Sequence, residues 1–305
     1  MDRITAGFDQ LCRFWLEDAP ARGVVVRLED SLTRSLEHHH YPPAVRRVLR
    51  ELAAAAVVFA SNLKQPALVS LQAQGDGPVK LLCVEATQAL TFRAYANVRD
   101  DAASMIATDA SLVDLVTGKK EAIFVLTIRP EVGQMYQGIV ALDNASVAQT
   151  LESYLSNSQQ TDTRLWLRED GDAMEALLME RLPEADQETA KQSFVALTKM
   201  IDNVFAQHFM PFPYAEWMEM ALPGHDVRIH PAQPVAFACS CSEERVLNAL
   251  KLVGREELAP LVEANGQLET RCEFCGKAYE ISAGLFATLF AERDALHPPS
   301  SKSIQ

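Results

Sequence analysis

The sequence predicts an α+β protein in three parts: an N-terminal antiparallel-sheet domain with helices, a helical linker, and a small C-terminal zinc-binding domain. Three observations carry this reading. Residues 1–178 mix strand-like and helix-like segments without a regular βαβ alternation. From Asp172 to Leu222 the pattern turns helical and is interrupted by Pro183, Pro211 and Pro213. Four of the six cysteines then fall between Cys239 and Cys275.

The elements follow in order. Gly23 to Leu28 reads as a strand. Pro42-Pro43 opens a long helix whose apolar positions Val45, Val48, Leu49, Leu52, Ala56 and Phe59 keep close to a 3.6 period. Ala67–Ala73 and Val79–Val84, joined by Gly75-Asp76-Gly77-Pro78, form a hairpin. Leu90–Val98 is a further strand, and Ile123–Ile128 with Tyr136–Leu142 a second hairpin. Ser146 caps a helix through Leu155, and Thr163–Leu167 is again a strand. Beyond Asp172, Phe194, Leu197, Ile201, Val204, Phe205 and His208 trace one helical face. Six of the nine methionines (174, 179, 200, 210, 218 and 220) lie in this stretch. They read either as gap-filling core residues or as an adaptable apolar surface that accepts varied partners. The domain boundaries expected are 1–178, a linker at 179–230, a zinc domain at 231–293 and a frayed tail at 294–305, where Pro298-Pro299-Ser300-Ser301 offers no apolar period.

Composition narrows the function classes. The 305 residues carry 28 Lys+Arg and 41 Asp+Glu, a formal charge of −13. Phosphate binding needs a basic face, and residues 231–305 hold 7 basic against 10 acidic groups, so nucleic acid is not the expected partner. The most uniformly apolar run, Leu52 to Leu63, is shorter than the roughly 20 residues of a membrane span. The opening residues show no apolar signal segment, and a soluble cytoplasmic protein is expected.

The cysteines are the informative residues. Cys12 and Cys83 stand alone in apolar surroundings and read as core thiols. Cys239-Ser240-Cys241 and Cys272-Glu273-Phe274-Cys275-Gly276 supply four thiolates, the soft donor set that suits tetrahedral Zn2+. The second pair has zinc-knuckle spacing, with Gly276 free to take the backbone conformation that follows such a turn. The first pair is tighter than a standard zinc finger. Between the pairs, Ser242 caps a helix with Glu243 and Glu244 in its first turn, and Gly254 ends it. Glu256–Ala264 is a second helix, and Leu268–Arg271 and Lys277–Ile281 flank the knuckle as a hairpin. A segment of roughly 60 residues with few large apolar groups commonly needs a staple. Structural zinc supplies about 10–16 kcal/mol, much of it folding energy. Oxidation would remove the ligands, and thiols this near in sequence close small loops within each pair. Spacing leaves open whether the site is only structural, a switch, or a thiol–disulfide oxidoreductase centre. A thioredoxin-like role is disfavoured by the lack of βαβ context.

Other motifs are silent. His38-His39-His40 reads as a polar turn before Pro42. His225 and His230 are redundant beside four cysteines. Neither Gly75-Asp76-Gly77 nor Gly118-Lys119-Lys120 has phosphate-loop spacing, and no G-x-S-x-G or H-E-x-x-H occurs, so no catalytic residues are assigned and an enzyme is not expected.

The segments Ala238-Cys239-Ser240-Cys241-Ser242-Glu243-Glu244-Arg245 and Cys272-Glu273-Phe274-Cys275-Gly276 resemble the zinc centre of the heat shock protein thirty-three family of redox-regulated chaperones. Ala21-Arg22-Gly23, Gln74-Gly75-Asp76-Gly77-Pro78, Tyr136-Gln137-Gly138-Ile139-Val140 and Ser158-Gln159-Gln160-Thr161-Asp162-Thr163-Arg164-Leu165 extend the likeness to the N-terminal part. Ala94 stands where that pattern has Gly, and Gln stands in Ser158-Gln159-Gln160 where it has Glu. The resemblance implies an ATP-independent holdase. One Zn2+ on Cys239, Cys241, Cys272 and Cys275 marks the reduced, inactive state. Disulfides Cys239–Cys241 and Cys272–Cys275, zinc release and linker unfolding mark the active one. It further implies unfolding client proteins as partners, a homodimer on activation and hand-off to ATP-dependent foldases. Under this resemblance the linker residues Phe194, Leu197, Met200, Ile201, Phe205, Met210 and Met218 become candidates for gripping clients.

Overall fold

The computed structural model describes residues 9–142, 146–159, 162–184, 186–210 and 213–296. Two compact units divide the chain, Met1–Ala238 and Cys239–Gln305.

The first unit opens with β1 (Gln10–Leu16), β2 (Ala21–Leu28), α1 (Asp30–Leu36) and α2 (Pro43–Ser61). Then follow β3 (Ala67–Gln74), β4 (Val79–Thr87), β5 (Thr91–Val98), α3 (Leu112–Val116), β6 (Ile123–Pro130) and β7 (Tyr136–Ala141). It continues through α4 (Val147–Gln159), β8 (Thr163–Asp170), β9 (Ala173–Arg181), α5 (Gln187–Phe205) and α6 (Ala215–Ala221). The short strands β10 (Val227–Ile229), β11 (Gln233–Pro234) and β12 (Ala236–Phe237) close it. One sheet runs β10-β1-β2-β9-β8 with β11 also on β1, and the other runs β12-β5-β4-β3-β6-β7. Both predicted hairpins are present, β3 on β4 and β6 on β7. Ser146 Oγ accepts from the Gln149 amide at the start of α4, as a capping serine should.

Helix α2 sets the architecture. Its Ala53–Ala56 run and flanking valines and leucines are buried, so it is apolar around most of its circumference. Such a helix needs cover on every side. It packs on strands of both sheets, among them β2 and β9 of the first and β3, β4 and β5 of the second. The first sheet alternates by strand period. Leu11, Val24, Val26, Met174, Ala176 and Leu178 join the core around α2. Cys12, Phe14, Val25, Trp166, Leu177 and Met179 point the other way, into a second core roofed by α5 and α6.

Three expectations are corrected. The helical run predicted from Asp172 begins instead with β9, so Met174 and Met179 are sheet residues, and the linker's first residues up to Arg181 belong to a strand. Ala173–Met179 is buried on both faces, and a run without period-2 alternation cannot be told from a buried helix by pattern. The boundary expected at residue 231 lies instead after Ala238, because β11 pairs with β1 and β12 lies parallel to β5. The tail expected from Asp294 is corrected at its first residues, since α9 (Ala283–Leu296) extends through them; 297–305 lie outside the described residues.

The second unit contains α7 (Glu243–Val253), α8 (Arg255–Asn265), the hairpin β13 (Gln267–Arg271) with β14 (Ala278–Ser282), and α9. The Ser242 hydroxyl accepts from the Arg245 amide at the head of α7. Gly266 ends α8 in the left-handed region. Its core is small: Leu250, Leu258, Val262, Leu268, Ile281, Phe286, Leu289 and Phe290.

Candidate metal centre

Cys239 and Cys241 sit in the extended segment ahead of α7, where the Ser242 cap fixes the turn into the helix. Arg245, one turn in, reaches back and donates to the Ser240 carbonyl at 2.8 Å. Cys272 and Cys275 occupy the β13–β14 turn. There the Cys272 amide donates to the Lys277 carbonyl at 2.9 Å and the Gly276 amide to the Cys272 carbonyl at 2.8 Å. Gly276 has φ +67°, a conformation that costs a residue with a Cβ, as its place after the knuckle predicts.

All four Sγ atoms lie within 4.8 Å of one another. Cys239 is 3.6 Å from Cys272 and Cys241 is 3.5 Å from Cys275. Four sulfurs each ~2.3 Å from a central Zn2+ would stand about 3.8 Å apart, so the cluster has the dimensions of a tetrahedral thiolate site. Each of these two contacts joins a cysteine of one pair to a cysteine of the other.

The chemistry of the donors agrees. Amides of Phe274 and Cys275 donate to Cys272, and that of Lys277 donates to Cys275, which supports negative sulfur. Burial pushes the Cys241 thiol up, but hydrogen bonds from Tyr279 and the three other thiols outweigh it and leave it at about 7. Burial raises Cys272, and burial together with the neighbouring sulfurs pushes Cys275 up to about 12. Once one proton has left, the next is held by the charge already present. Four thiolates therefore coexist only around a cation, which is what bound zinc would supply. A buried hydroxyl completes the test. Tyr279, on β14, has a buried hydroxyl without a hydrogen bond of ordinary geometry among the described residues, and it lies toward Cys241. Sequence reading passed over Tyr279, though an inward aromatic beside the knuckle on a strand of alternating burial was the available signal.

The seven linker residues come together elsewhere. Phe194, Leu197, Ile201, Phe205, Met210 and Met218 are buried against the first sheet, and Met200 packs beside them half-buried. In this state they are core. Cys12 and Cys83 are buried thiols as expected, and burial pushes Cys83 up to about 12. His38 to His40 lie in the turn and coil ahead of Pro42 and gather no metal-ligand set among the described residues.

The Hsp33 protein family profile matches residues 9–282, nearly the whole chain. The chain belongs to the Hsp33 family. A 33 kDa chaperonin of Pseudomonas fluorescens is 38% identical over 283 residues, covering 92% of each chain. That of Methylobacillus flagellatus is 35% identical over 273 residues, 89% of this chain and 90% of its own. The crystal structure of the Hsp33 homologue of Thermotoga maritima superposes with a TM-score of 0.74 over 94% of this chain and 99% of its own, at 16% identity, and so supports the fold. Among the described residues of this Hsp33 chain no helix is long and apolar enough to cross a membrane.

Proposed function

We propose that this chain is a redox-gated, ATP-independent holdase of the cytoplasm, zinc-bound and idle when reduced. The observation that carries the reading is the convergence of all four C-terminal thiols within 4.8 Å, in a unit whose own core is small. Cys239, Cys241, Cys272 and Cys275 would hold Zn2+, which when bound balances their charge and ties the α7 end of the unit to its hairpin. Oxidation to Cys239–Cys241 and Cys272–Cys275 takes two electrons per bond, and a peroxide accepting them is reduced to water. Short loops within each pair and the family resemblance support this pairing. With the thiolates consumed the unit loses its staple, and α5 and α6 lift from the sheet to offer Phe194, Leu197, Met200, Ile201, Phe205, Met210 and Met218 to unfolding clients. Self-association in that state and later hand-off to ATP-dependent foldases belong to the same reading. The −13 charge would help keep such a surface soluble.

Peroxide with mild heat is expected to release one zinc per chain and to make the protein suppress aggregation of a denatured client without nucleotide. An oxidised, zinc-free protein that suppresses nothing overturns the proposal. Turnover of a disulfide substrate with zinc retained would instead identify an oxidoreductase.

A further inference from the structure

The roof of the first sheet is fastened by a polar row as well as by its apolar core. Strand register places Arg27 of β2 opposite Glu175 of β9, and Glu175 opposite Arg168 of β8, so the three side chains form one line on the face covered by α5. Glu175 is fully buried. Its Oε1 accepts from Arg27 at 2.7 Å and from the Met210 backbone amide at 3.0 Å, while Oε2 accepts from Arg168 Nε at 3.1 Å. Arg168 also donates to the Phe205 carbonyl and, at 2.6 Å, to the His208 carbonyl, and its guanidinium lies 4.5 Å from the centre of the Phe209 ring.

Phe205 is the last residue of α5, where helix carbonyls lack intrahelical partners and the macrodipole is negative. A guanidinium is the side chain suited to both sides of this joint, since its planar fork can donate to a carboxylate and to carbonyls at once. The roof gives only backbone groups to the hydrogen bonds. We infer that Arg168, oriented by Glu175, is the positioning residue that holds the end of α5 on the sheet, and that its release gates exposure of the linker. The gating half rests on the holdase reading above; the docking half stands on the geometry alone.

The test uses the reduced full-length chain. In Arg168→Gln, amides of 187–222 are expected to exchange about 10- to 100-fold faster, the loss that removing a charged hydrogen-bond partner brings. Those of β2 and β4 should be unchanged. Arg164→Gln, which removes a more exposed arginine of the same strand face paired with Asp202 at 3.4 Å, should leave 187–222 unchanged. Unaltered exchange in Arg168→Gln, or equal acceleration in Arg164→Gln, overturns the assignment. If Arg168→Gln loses protection everywhere, Arg168→Lys decides, because lysine keeps the charge beside Glu175 without the fork. Acceleration confined to 187–222 then supports the latch, and none, or a global loss, overturns it. Reduced Arg168→Gln should also suppress client aggregation without oxidant. If it stays idle while oxidised wild type is active, the gating role falls. If both are idle, the holdase reading falls and the exchange data still decide docking.

Discussion

Tyr279 is a single side chain with a disproportionate role at the cysteine cluster. Its hydroxyl is buried without a hydrogen bond of ordinary geometry among the described residues and lies toward Cys241, the group it is placed to support. The Lys277 ammonium lies 5.1 Å from the centre of its ring. Outer groups of this kind tune metal affinity by about 10- to 100-fold. Tyr279→Phe keeps the ring and its packing while removing only the hydroxyl. It should weaken zinc retention by that factor in competition with a chromogenic chelator, with helix content in the zinc-loaded state unchanged. Equal retention in the two proteins would show that the hydroxyl is a bystander. At Gly138, a Cβ would stand 2.3 Å from the Tyr154 ring, which gives a physical reason for glycine in the Tyr136–Val140 segment that resembles the family.

The helices α5 and α6 show what pattern can and cannot reveal. The stripe Phe194, Leu197, Ile201 and Phe205 repeats at helical spacing, and its burial follows from that spacing alone. Likewise Ser242, Gly254 and Gly266 mark where α7 and α8 start and stop. Strand β9 was illegible because both its faces are covered, by α2 on one side and by α5 with α6 on the other, which erases the alternation that announces a strand. The Arg168 joint was equally hidden, because the linker's part in its hydrogen bonds is made by backbone groups that no side-chain motif records. The four clustered thiols were legible because thiols at such spacing have few other uses, whereas Tyr279 depends on a strand register. Trp217 of α6 tests how strongly this roof is packed. It is almost wholly buried, meets Phe205 edge-on at 6.3 Å and donates to the His208 carbonyl at 3.2 Å. Trp217→Ala should cost about 3–5 kcal/mol, chiefly as a cavity, seen as a lower urea midpoint for the first unit. Trp217→Phe should cost far less, since Arg168 still donates to that carbonyl.

The molecule as a whole joins units of unequal self-sufficiency. The first surrounds α2 with two sheets and roofs one of them, so its stability rests on buried apolar area. Among the described residues the second gathers a core cluster of eight apolar residues from three helices and a hairpin, a size of core that commonly needs a staple. Metal removal should therefore act on one unit only. Chelation of the reduced protein at neutral pH is expected to abolish hydrogen-exchange protection in α7, α8, α9 and the β13–β14 hairpin while β2, β3 and β4 keep theirs. The thiols provide an independent count. An alkylating reagent should then modify Cys239, Cys241, Cys272 and Cys275 quickly, while Cys12 and Cys83, both buried in the first unit and both with thiols raised by burial, stay protected until that unit is denatured. Zinc readdition before alkylation should restore protection at the four sites, as expected where ligation and folding are one equilibrium. Retained structure in the second unit after complete chelation would show that its apolar core suffices and that oxidation of the cysteines could not by itself dismantle it.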